Sequence, residues 1–205
     1  MGLDIYFHLY KKTRERNEGE EMYEYYADLA KEADNKICSE AKSAIKRYIN
    51  EHKNAKSVNV NALCYELKRY FPFNFQLVKL QEAKTIKDIK EWAASINWDY
   101  VYKKENAYFR KVNCIYGYFM DRLENEICEV TKEDVLDIIK KATKILTEKD
   151  ENLASELLPT QGGFFFGSTE YDELYYDDMI TILSEFGKLL NDWEDDDICF
   201  VRMSW

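Results

Sequence analysis

The sequence predicts an α+β fold, a predominantly helical single domain with a small antiparallel sheet that contains the N- and C-terminal strands. Three observations carry this. "LDIYFHLY", residues 3–10, alternates: Leu3, Ile5, Phe7 and Leu9 point one way, Asp4, Tyr6, His8 and Tyr10 the other. That is the period of a strand with one apolar face. The last eight residues, "ICFVRMSW", are rich in β-branched and aromatic types and read as a second strand. Between the two ends, apolar residues recur at steps of three and four over long stretches with almost no proline, the signature of packed helices. A length of 205 residues is that of one domain.

Taken in order, residues 19–52 form the first helix. Met22, Tyr25, Tyr26, Leu29, Ala33, Ile37, Ala41, Ala44, Ile45, Tyr48 and Ile49 recur at helical spacing, and no proline intervenes. A second helix at about 59–71 places Leu63, Leu67, Tyr70 and Phe71 on one side and stops at Pro72. "FNFQLVKL", 73–80, reads as a short strand. Thr85 followed by Asp88 makes a capping-box-like start for "IKDIKEWAASI". Residues 106–128 read as one buried helix, with Tyr108, Val112, Ile115, Tyr116, Phe119, Leu123 and Ile127 at steps of three and four. Thr131 with Asp134 starts the next, whose inner stripe is Val135, Ile138, Ile139, Ala142, Ile145 and Leu146. A short helix covers 152–158 and a long one runs from about 170 to 191. "DWEDDD", 192–197, is a solvated acidic turn before the last strand.

Composition limits function. Hydrophobic residues make up 46% of the chain and aromatics 15%, enough for a packed core. Lys and Arg number 29 against 39 Asp and Glu, a formal charge of −10. Such a field opposes non-specific binding to a phosphate backbone, so no direct nucleic-acid binding is expected. The five cysteines, Cys38, Cys64, Cys114, Cys128 and Cys199, form no CxxC pair. Free thiols are expected, not a disulfide framework or a structural zinc site. "MGLDIYFHLYKK" lacks a basic segment followed by an apolar one, and no apolar run approaches a membrane span.

The stretch "LLPTQGGFFFGSTEYDELYYDD", 157–178, concentrates unusual residues. Seven glycines and two prolines occur in the whole chain, and Pro159, Gly162, Gly163 and Gly167 surround Phe164, Phe165 and Phe166 here. One reading is structural. Pro159 stops a helix, the glycines turn the chain, and the three rings anchor the loop to the core. Ser168 or Thr169 then caps the next helix, Thr169 with Asp172 as a box. Glu170, Asp172 and Glu173 suit its positive end. The other reading is a ligand site at a glycine-rich turn leading into a helix. No lysine follows the glycines, so it is not a nucleotide-triphosphatase loop.

"MGLDIY" at the start, "AYFRKVNCIYGYF" in the middle, the 157–178 stretch and the terminal "SW" together resemble a family of small phage and prophage proteins. These begin MGLD-x-Y, carry a Tyr-Trp-Arg-Lys-Ala-Asn-like segment and share a Leu-Pro-Thr-Gln-x-Gly-Phe-Phe-Phe-Gly-Ser-Thr motif. The resemblance covers residues 1–12 and 105–205 as a family-like core. Residues 14–95 read as a helical elaboration. Phe109 and Val112 stand where the family has Trp and Ala. The resemblance implies a mobile-element protein in the cytoplasm of a bacterial host. Matching positions converge if the loop packs on the 106–128 helix, where Arg110 and Asn113 share a face. The ligand-binding set is then Arg110, Lys111, Asn113, Gln161, Gly163, Gly167, Ser168, Thr169, Tyr171 and Tyr175. A guanidinium for phosphate and ring faces for a base would make a nucleotide pocket. The competing reading is an ion pair from Arg110 to Asp172 or Glu173.

Catalytic candidates are thin, and no catalytic, metal or cofactor set is assigned. His8 lies on the polar face of the first strand and His52 at the end of a charged helix. Cys114 beside Asn113 is predicted buried, and buried thiols are usually inert. Asp177 and Asp178 read as solvated charge. The sequence therefore predicts a non-catalytic accessory protein that counters a host defence system by sequestering a nucleotide-like ligand. An acidic, tyrosine-rich inhibitor of a host defence protein and a metal-dependent enzyme on nucleotides are the alternatives. Homo-oligomerisation is left open.

Overall fold

The computed structural model describes residues 2–71, 75–96, 98 and 106–205. The chain is α+β: among the described residues, eight α-helices accompany one four-stranded antiparallel sheet that holds both terminal strands. It divides into two compact units, 1–29 with 104–205 and 30–103. No helix among the described residues is long and apolar enough to cross a membrane.

The first unit carries the sheet. Strand β1 (Asp4–Lys11) lies beside β2 (Ala107–Arg110) and β4 (Asp197–Ser204), and β3 (Ile127–Val130) pairs with the other side of β4. The order is β2-β1-β4-β3, with Asp4 opposite both Arg110 and Ser204 and Cys128 opposite Val201. One face buries Leu3, Ile5, Phe7, Phe109, Val201 and Met203 under helices. Phe7 meets Phe109, Phe119 and Phe186 edge-on, with ring centres 5.0–5.9 Å apart. The alternation read in β1 thus builds the core as expected. The opposite face is not the polar face that the sequence suggested. The first turns of α1 (Met22–Glu51) place Tyr25 and Tyr26 on Phe200, and His8 is only 6% exposed, flanked by Tyr6, Tyr10 and Tyr26. An alternating strand reports a period, and what covers each face is decided by distant chain.

Three local expectations hold and two are corrected. Thr85 and Asp88 close a reciprocal capping box at α4 (Ile86–Ala94), after α2 (Asn61–Leu67). Thr131 and Asp134 do the same at α6 (Lys132–Glu148). The short helix expected at 152–158 is α7 (Glu151–Leu157), which is capped by Asp150 accepting from Leu153 N–H. The strand expected at 73–80 is instead helix α3 (Phe75–Gln81) over its described part, with Leu77 and Leu80 buried one turn apart. Residues 73 and 74 lie outside the described residues. The single helix expected at 106–128 is β2, then α5 (Asn113–Phe119), a 3₁₀ turn at Met120–Arg122, and β3. Ala107 and Phe109 are buried while Tyr108 and Arg110 are exposed, which is period two. Lys111 at φ 61°, and Asn125 and Glu126 at φ 50° and 69°, break the chain where a helix would need negative φ.

The second unit, which spans most of the 14–95 elaboration, has its own core. Ala41, Ala44, Ile45 and Tyr48 of α1 pack with Leu63, Leu67, Phe71, Leu80, Ile89 and Trp92. The last long helix, α8 (Glu173–Asp192), belongs to the first unit and buries Tyr175, Met179, Ile182, Phe186 and Leu189 against its core.

Candidate functional site

The glycine-rich loop between α7 and α8 is held by the start of α5. Asn113 is the first residue of α5 and 4% exposed. Its side-chain amide donates to the carbonyls of Phe166 (3.3 Å) and Ser168 (2.8 Å), and its Oδ1 accepts from the Gln161 N–H (3.1 Å). One buried amide thus joins both arms of the loop and satisfies three backbone groups. Thr160 adds two ties: its N–H donates to the Tyr171 hydroxyl and its Oγ1 to the Thr169 carbonyl. The Tyr175 hydroxyl donates to the Leu158 carbonyl at 2.8 Å. The loop also joins the sheet, where Leu3 N–H donates to the Phe165 carbonyl and Lys111 N–H to the Leu3 carbonyl.

Two glycines are demanded by geometry. Gly167 has φ +96°, and a methyl there would stand 3.3 Å from the Lys111 Cβ. Gly163 lies under the Phe166 ring, whose atoms come within 2.6 Å of where a Cβ would be. The expectation that all three phenylalanines anchor the loop is corrected. Phe166 does so, 5% exposed and edge-on to Tyr116 and Trp205. Phe164 is 92% exposed and Phe165 36%, because the bend directs the tip outward while the Phe165 carbonyl is held by β1. The helix cap is also corrected. Asp172 is the N-cap of α8 and accepts from Leu174 and Tyr175 N–H, and Ser168 Oγ accepts from Glu170 N–H.

Between loop, β2 end and α8 lies a cavity of about 340 Å³. Six of the ten expected ligand residues line it: Arg110, Lys111, Asn113, Gly167, Ser168 and Tyr175. The other four serve the scaffold. Gln161 and Thr169 give backbone groups to the ties above, Tyr171 accepts from Thr160, and Gly163 seats Phe166. Arg110 and Asn113 are not on one helix, since Arg110 ends β2 and Asn113 begins α5. They meet at the cavity because the chain reverses at Lys111, not because they share a helical face. No ion pair joins Arg110 to Asp172 or Glu173 among the described residues.

The sequence reading missed Thr160, Glu170, Asp172, Leu174, Asp177 and Asp178, which also line the cavity along with Cys114. Asp177 is exposed, as the sequence suggested, whereas Asp178 is only partly exposed. Asp178 stands three residues after Tyr175 and four after Leu174, so it shares their helical face; that spacing was the available signal. Burial, reinforced by the carboxylates of Asp177 and Asp172, pushes its acid up to about 6. Neither Arg110 nor Lys111 is among the charges acting on it. The cavity lining is therefore of mixed charge, with cations from the end of β2 and its following turn and acids from α8 and the residues before it.

Reactivity is low in this setting. Full burial pushes the Cys114 thiol up to about 12, so it stays protonated near neutrality. Burial likewise raises Tyr175 well above a free phenol. Among the described residues no group of three or more His, Cys, Asp or Glu is arranged to hold a metal ion. What the arrangement can do is bind a small polar molecule between opposite charges. No family model, no curated protein and no solved structure matches this chain.

Proposed function

We propose that this protein binds a nucleotide-like small molecule in the loop–α8 cavity and withholds it from solution, without chemical conversion. In the setting implied by the phage-like motifs, the ligand is a signal of a host defence system and the protein is an accessory factor of a mobile element. The observation that carries the reading is the pair Arg110 and Lys111 lining a formed cavity. Among the described residues neither side chain has an ion pair or hydrogen bond. A cation left unpaired beside a concave surface suits an incoming phosphate, which a guanidinium grips with two parallel hydrogen bonds. The volume lies near the low end of the roughly 300–1,000 Å³ typical of ligand sites, which favours one nucleotide over a dinucleotide.

Calorimetric titration with nucleoside monophosphates and cyclic dinucleotides tests it. A monophosphate is expected to bind, and Arg110→Ala to weaken binding about tenfold or more, since a hydrogen bond to a charged group is lost. Absence of heat with every compound would remove the reading.

One observation favours the protein-binding alternative. The Phe164 ring, 92% exposed, stands edge-on to Phe165 at the loop tip and could anchor a partner. The acidic 192–197 turn gives that alternative less support. Glu194, Asp196 and Asp197 already pair with Lys11, and Asp195 lies 3.7 Å from Lys132.

A further inference from the structure

The cavity lining carries charges of both signs, and only its cations are suited to phosphate. Asp177 and Asp178 also line it, and among the described residues neither carboxylate has a hydrogen bond or ion pair of its own. A carboxylate partly withdrawn from water and left without a partner is costly unless a ligand supplies donors. An ionised carboxylate has acceptors only, and its two oxygens match two adjacent N–H groups. Guanine presents such a pair on its pairing edge, a ring N–H beside an exocyclic amine. Adenine presents an amine beside a bare ring nitrogen, which would face a carboxylate oxygen lone pair to lone pair.

We propose that the Asp178 carboxylate reads the base edge of the bound nucleotide and selects guanine over adenine. This rests on the nucleotide-binding reading above and specifies the substrate class of that same cavity. Arg110 and Lys111 hold the phosphate, and Tyr175 lines the same cavity. The same geometry makes the preference depend on pH. Besides Asp178, the titratable groups lining the cavity are Asp177 and Tyr175 on its own helix, Asp172 and Glu170 before it, Cys114 on α5, and Arg110 and Lys111 at and just after the end of β2. Burial, reinforced by the neighbouring carboxylates of Asp177 and Asp172, lets Asp178 take up a proton at about 6, ahead of an ordinary aspartate. Once protonated it offers one O–H donor beside one acceptor, which complements adenine's amine and ring nitrogen as well as guanine's ring N–H and carbonyl, so the preference for guanine is lost.

The test is calorimetry with guanosine, inosine and adenosine monophosphates at about pH 7.5 and about pH 5, on the wild type and Asp178→Asn, whose amide copies the neutral acid. At the higher pH the wild type is expected to prefer guanosine by roughly 5- to 100-fold, with inosine between, the range a bidentate contact gives. In acid that ratio falls towards one. In Asp178→Asn it is lost at both pH values, and a thermal melt establishes that the variant is folded. Equal guanosine and adenosine affinities in the wild type, or an unchanged ratio in Asp178→Asn, overturns the base-edge assignment and leaves nucleotide binding intact. No binding by any of the three overturns the parent reading.

Discussion

The two units each carry a depression of similar size, and they are built by opposite means. The cavity of the first unit, about 340 Å³, is lined by charges of both signs, contributed by a strand end, a bent loop and a helix start. The groove of the second, about 320 Å³, lies between α1 and α4 and is lined by Lys42, Lys46 and Lys90 over Ile45, Ile49, Ala93, Ala94 and Trp98. Its lysines sit on regular helix, and the Lys42 ammonium lies 4.6 Å over the Trp98 ring. Long stems lie on an apolar floor with charged heads in water, as surface lysines commonly do. In the first cavity, by contrast, Lys111 and Gly167 are held at positive φ and a buried amide fixes the loop. Backbone kept in a sparsely populated conformation by its surroundings is a stronger mark of a binding site than a cluster of like charges.

The largest expected break in that comparison is Asn113→Ala. It deletes three hydrogen bonds and leaves two carbonyls and an N–H of the loop without their partner. A loss of about 3 kcal/mol in urea unfolding is expected, with ligand binding abolished.

Asp178→Asn sharpens the contrast in the other direction, because it should stabilise the protein. In the folded state the acid is raised to about 6, so between roughly pH 4 and pH 6 the folded chain holds a proton that the unfolded chain has released. Stability therefore falls as pH rises through that window, and the deficit is complete above it. The variant is expected to gain about 1–2 kcal/mol at pH 7.5 and nothing below about pH 4, read from melts across that range. A gain that persists in acid would show that the carboxylate is not the cause.

The smallest effect belongs to the groove. Lys42→Ala removes one exposed cation over Trp98 and is expected to cost about 0.5 kcal/mol, with nucleotide affinity unchanged. A tenfold fall in affinity would mean that the two depressions do not act separately.

Much of the candidate site was legible in the sequence. Arg110, Lys111 and the loop residues Gly167 and Ser168 line one cavity, as expected if the loop packs on the chain that holds Arg110 and Asn113. The route is different, however. Tyr108, Val112, Ile115 and Phe119 match a helical spacing, yet they belong to a strand, a turn and a short helix in succession. Short segments satisfy periods of 2 and 3.6 over the same few residues, and only pairing with β1 chooses between them. Asp178 was passed over because acids on helices are usually solvated, and the cavity it lines is completed by residues that are remote in sequence, Arg110 and Cys114 among them.

By itself the sequence determined what depends on neighbours within one turn of chain or one strand period: the two terminal strands, the capping boxes at Thr85 and Thr131, the helical stripes of α1, α6 and α8, and the bend around Gly163 and Gly167. Tertiary structure decided which faces are covered and which charges are left without partners. It buried His8 beneath Tyr26, turned Phe164 outward and Phe166 inward, and set Arg110 and Asp178 around one cavity. The physical reason is range. Hydrogen-bonded caps and periodicities act over three or four residues, whereas burial and desolvation depend on surfaces that meet only after the chain has folded.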